Sequence, residues 1–166
     1  MKFIDYQSAA AATCLPLCFS GAYLRPGLLN EAGEICGQFK RLVRGDIQFD
    51  TAKHLAAKEI GDVLWYVAMW GAFKGIDTED ISLRAELYHP RIDSVSELEE
   101  LAADIVADVC IFRMAPTHSQ LTGLLLKLEK LANAIGFSLH EVAVLNQKKL
   151  KDRKHRNVIQ GMGDVR

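Results

Sequence analysis

Apolar residues recur at spacings of three and four along most of this chain, and no stretch of useful length alternates as a strand does. Over about 27–44 the apolar positions are Leu28, Ala32, Ile35, Phe39, Leu42 and Val43, a single helical stripe that Gly45 is placed to stop. Another helix is predicted over about 51–74, with Asp50 as its N-cap and Gly75 as its stop. Ahead of these, residues 3–14 read as a short helix ended near Pro16, and 15–26 as an irregular segment carrying Pro16, Gly21 and Pro26. Residues 76–96 are polar and broken by Pro90. Two further helices follow near 96–114 and 118–135, separated by Pro116. The last begins after Gly136, where Ser138 and Glu141 make a capping box, and runs to about residue 154. The fold class is therefore all-α.

Two acidic motifs sit inside the two central helices: Glu31-Ala-Gly-Glu34 and Glu59-Ile-Gly-Asp62. Residues three apart leave a helix from the same side, so two such helices packed together gather four carboxylates. Carboxylates gathered in this way repel unless a divalent cation lies between them, and hard oxygen ligands suit Mg²⁺, with Mn²⁺ as the alternative. Glu31, Glu34, Gln38 and Arg41 fall on a stripe at the edge of the buried face, half sheltered and still reachable. A glycine in the middle of each motif, Gly33 and Gly61, points to close helix approach beside the ligands, since each costs about 1 kcal/mol relative to Ala. Tyr66 lies one turn beyond Asp62. On the last helix Asn146, Lys149 and Arg153 share a stripe that offers an amide and two cations to phosphate oxygens. Acids for a metal facing bases for phosphate describe a site for a metal–polyphosphate complex.

Composition narrows the setting. One domain of 166 residues can bury a proper core. Although 49% of residues are apolar, no run reaches the roughly 18–20 needed to span a membrane. A net charge of −1 draws the chain to neither nucleic acid nor anionic lipid. Cys14, Cys18, Cys36 and Cys110 have no metal-ligand spacing and read as reduced thiols. The apolar stretch 9–19 imitates a signal peptide, but Lys2 is its only preceding base and Pro16 breaks it, so a cytoplasmic location is expected. Glu86-Leu-Tyr-His89 is a single Glu-x-x-His, where a di-iron bundle needs two.

The acidic motifs, with 24 residues between Glu34 and Glu59, resemble those of the MazG-like all-α nucleoside triphosphate pyrophosphohydrolases. The resemblance covers Tyr6-Gln7, 27–44 and 57–76, and resumes from Gly136 onward. There Asn146-Gln-Lys-Lys149-Leu-Lys-Asp-Arg153 is similar to that family's basic motif, and 158–166 to its glycine-rich ending. It implies an antiparallel bundle and Mg²⁺-dependent cleavage of a nucleoside or deoxynucleoside triphosphate to the monophosphate and pyrophosphate. Glu31, Glu34, Glu59 and Asp62 would then hold metal, and Asn146, Lys149 and Arg153 would hold substrate; Tyr66, by its place one turn beyond Asp62, is a further substrate-binding candidate. The resemblance further implies a homodimer or homotetramer. Compact members lack the segment at about 81–135, which makes this a helical insertion. Its carboxylates Asp104 and Asp108 are expected to face water. The alternative reading is a non-catalytic nucleotide- or metal-binding regulator. A fainter echo, Gly75-Ile-Asp-Thr-Glu-Asp-Ile81 against Gly136-Phe-Ser-Leu-His-Glu-Val142, reads as a shared way of stopping and restarting helices.

Overall fold

Glycine and capping chemistry cut the chain into its elements. Gly75 and Gly136 take left-handed backbone, with φ of 67° and 88°. In each case the next residue's N–H reaches back across the helix end, Ile76 to the Gly71 carbonyl at 3.0 Å and Phe137 to Ala132 at 2.9 Å. Shared helix-stop chemistry thus accounts for the echo between the two segments. Beyond the two stops the chain behaves differently, because only Ser138 opens a new helix, through a capping box with Glu141.

The computed structural model describes residues 1–158, so the tail motif beyond Val158 lies outside the described residues. Among them are six helices: α1 (Phe3–Ala11), α2 (Gly21–Val43), α3 (Phe49–Lys74), α4 (Val95–Met114), α5 (His118–Ala134) and α6 (Leu139–His155). A 3₁₀ turn, Pro16–Cys18, precedes α2. The described residues contain no strand, only an isolated bridge between Lys2 and Ser82. The all-α expectation holds. No described helix is long and apolar enough to cross a membrane.

Three boundaries differ from those that the sequence predicts. The first helix ends at Ala11 rather than near residue 14. The second starts at Gly21 rather than Gly27 and runs straight through Pro26. Pro26 removes one helical donor near the helix start, and burial of Leu24 and Leu28 on either side outweighs that loss. The third starts at Phe49 with Gln48 as its N-cap, so Asp50 is a first-turn residue, ion-paired to Lys53 at 2.6 Å.

Burial ranks the helices. From Ala56 to Gly71, α3 is covered on nearly all sides, and it packs against α1, α2, α5 and α6. Helices α4 and α5 bury their apolar stripes inside this chain. Leu98, Leu101, Ile105, Val109 and Phe112 of α4 pack toward α2 and α5, while Leu121, Leu124, Leu125, Leu128 and Leu131 of α5 close on α4, α3 and α6. Glu86 and His89 lie in non-helical chain, which removes the di-iron possibility.

Candidate metal centre

Glu31 and Glu34 leave α2 toward α3, from which Glu59 leaves to meet them. Oxygens of these three carboxylates lie within 4.8 Å of one another. The residues grade from buried Glu59 through half-buried Glu31 to exposed Glu34. They line a cavity of about 420 Å³ together with Asp62, Tyr66, Trp65, Tyr23 and Arg153. Partial burial and the surrounding charges of Asp62, Glu34 and Glu59 push the Glu31 carboxyl up to about 7. Three carboxylates that offer only oxygen donors fit a hard divalent cation.

Asp62 departs from the four-carboxylate arrangement. It lines the same cavity but is absent from the tight group of three. The Lys149 ammonium donates to both of its carboxylate oxygens at 2.6 Å, and the Asn146 amide donates to Oδ1 at 2.9 Å. Two of the residues expected to hold substrate therefore hold the fourth carboxylate instead. Arg153 is buried and lines the cavity from α6.

The glycines part company as well. A Cβ at Gly61 would sit 3.0 Å from Asn146 Cβ, so the small residue lets α6 approach α3 beside Asp62, as expected. Gly33 has no neighbour within 4 Å, and the expectation of close approach there is not met. The close α2–α3 contact is at Gly27 instead, where any Cβ would overlap the Tyr66 ring. Tyr66 stands half-buried in the cavity wall, its ring 6.0 Å from that of Tyr23. Burial, then the contact with Tyr23, raises its phenol well above the ordinary value.

Three supporting residues carry no role in the sequence pattern. Gln38 donates to Glu59 Oε1 at 3.1 Å, and Asn30 to Glu34 Oε1 at 2.6 Å. Tyr6, fully buried on α1, donates to Asn146 Oδ1 at 2.9 Å and so fixes which end of that amide faces Asp62. Helical spacing gave a signal for Asn30 and Gln38, each four residues from Glu34. No local signal links Tyr6 to Asn146, since 140 positions separate them.

Asp104 and Asp108 line neither this cavity nor the acidic cluster. Both face Lys127 on α5, at 3.9 and 2.9 Å; Asp104 is largely exposed, as expected, whereas Asp108 is half-buried by that ion pair rather than facing water. All four cysteines are free thiols. No protein-family model, curated protein or solved structure matches this chain.

Proposed function

We propose that this protein is a metal-dependent nucleoside triphosphate pyrophosphohydrolase, which adds water to an NTP or dNTP and releases the monophosphate and pyrophosphate. The observation that supports it is the convergence of Glu31, Glu34 and Glu59 at a cavity that Arg153 also lines, with Lys149 reaching its edge through Asp62. Glu31, Glu34 and Glu59 would hold Mg²⁺ or Mn²⁺, with Asp62 as the candidate fourth ligand. Such an ion neutralises a polyphosphate and acidifies bound water. Gln38 and Asn30 orient the carboxylates through their amide donors, which limits the rearrangement that ligand binding requires. Arg153 would supply positive charge for phosphate oxygens from the cavity wall, which the Tyr66 and Trp65 rings also line, and Lys149 would add its charge beside Asp62.

A homodimer or homotetramer belongs to the same proposal. Leu17, Phe19 and Phe73 are exposed, with Phe19 and Phe73 edge to face at 5.5 Å, and would give a subunit an apolar surface to cover. A cytoplasmic location accords with four unpaired thiols. The alternative, a binding protein without turnover, draws on one observation: Asp62 is held by Lys149 and Asn146 rather than by the cluster.

Screening NTPs and dNTPs with Mg²⁺ while assaying pyrophosphate separates the two readings. In the enzyme, Glu59→Gln keeps the side chain's shape but removes a ligand charge, and turnover falls by at least roughly a hundredfold at unchanged helix content. Pyrophosphate release by Glu59→Gln at the parent rate would remove Glu59 from the site. Binding without release, by the parent protein across all substrates, would establish the regulator.

A further inference from the structure

A second cavity, of about 450 Å³, lies between α3 and α6. Its apolar part is formed by Ala57, Val142 and Phe137, and the His54 ring meets Phe137 edge-on at 5.6 Å. The charged part of its lining is Lys58, Lys149, Arg153 and Arg156 with Asp152, which pairs with Arg156 at 2.8 Å. An anion on a small apolar or aromatic body is the complementary guest, and the volume falls within the range of small-molecule sites.

This cavity shares Lys149 with the metal centre in a specific way. Lys149 lines the α3–α6 cavity, whereas its partner Asp62 lines the acidic one. The ammonium holds both Asp62 oxygens at 2.6 Å, and Asp62 is the one acidic-motif carboxylate outside the cluster of three. An anion entering beside Lys149 therefore competes with Asp62 for the same charge, and Gly61, against Asn146, keeps the two helices close enough for one side chain to serve both.

We propose that the α3–α6 cavity binds a small organic phosphate whose phosphate group draws Lys149 away from Asp62, freeing that carboxylate to join Glu31, Glu34 and Glu59. This rests on the metal-binding part of the proposed function and not on turnover. Anion and metal then bind with positive coupling, equal in both directions. The two requirements for handling a metal–polyphosphate, a complete ligand set and a cation on phosphate, become one event.

Calorimetric titration of the full chain with Mn²⁺, without and with adenosine 5′-monophosphate and corrected for their complex in buffer, tests the coupling. The nucleotide should tighten Mn²⁺ binding by about fivefold or more, and Mn²⁺ should tighten nucleotide binding by the same factor. Inorganic phosphate, lacking the apolar body, should bind more weakly and couple in the same sense. Phe137→Ala and Lys58→Ala should weaken nucleotide binding while leaving Mn²⁺ affinity in its absence unchanged. Lys149→Met should tighten Mn²⁺ without nucleotide and abolish the coupling. Independent affinities with Mn²⁺ binding intact overturn this proposal alone. Nucleotide binding that survives Phe137→Ala but is lost in Glu31→Gln places the nucleotide in the acidic cavity and likewise overturns it. Loss of all Mn²⁺ binding in the folded parent protein overturns the coupling and the metal reading together.

Discussion

Glu31 is the residue where burial and charge meet most directly. Its carboxyl titrates near 7 instead of 4.5, first because it is partly buried and then because Asp62, Glu34 and Glu59 surround it. Between those two values the native state holds a proton that the unfolded chain has released. The group's contribution to stability is thus fully present below about pH 4.5 and lost as pH rises to about 7. Thermal melts of the metal-free protein should fall over that window, and Glu31→Gln should flatten the fall. Proton release on metal binding has the opposite consequence for affinity: Mn²⁺ should bind more tightly as pH rises through 7. A pH-independent Mn²⁺ affinity between 6 and 8 would separate Glu31 from the ligand set.

At the scale of helices, the glycines mark which contacts are tight. Gly33 lies exposed on α2 with nothing near its missing Cβ, so Gly33→Ala should stabilise the protein by about 1 kcal/mol in chemical denaturation. Gly27→Ala, six residues earlier on the same helix, should do the reverse. A methyl group there overlaps the Tyr66 ring and forces that ring or α2 to move, at a cost of about 1–3 kcal/mol. Similar effects from the two substitutions would mean that α2 does not meet α3 at Gly27. Propensity alone predicts the same gain at both sites, and only the neighbour across the helix interface gives them opposite signs.

For the whole molecule, α4 and α5 supply core rather than chemistry. Leu125 is 5% exposed between α5 and its neighbours, and a carboxylate there is buried without a partner. Leu125→Asp should cost more than about 3 kcal/mol, or prevent folding altogether. Asp104→Asn removes a carboxylate that is 68% exposed and should leave both stability and metal binding within error of the parent. Loss of metal binding in a folded Asp104→Asn protein would bring α4 into the site.

Helical periodicity, cap residues and the i, i+3 spacings of Glu31 with Glu34 and of Glu59 with Asp62 were legible in the sequence because each depends on neighbours within about one turn. The same locality explains the boundary misses. Pro26 and Asp50 carry strong local signals, but the burial of Leu24 and Leu28 extends α2 through the proline, and α3 starts one residue ahead of the aspartate. Tertiary structure alone decided what the polar side chains do with one another. Asn146 and Lys149 read as phosphate ligands while α6 was considered by itself. Brought within hydrogen-bond distance of α3, they hold Asp62, and Tyr6 on α1 fixes the amide from behind. Those partners are 84 to 140 positions apart, and no local pattern encodes such a meeting. A carboxylate, an amide and an ammonium each keep several possible partners until packing removes the alternatives.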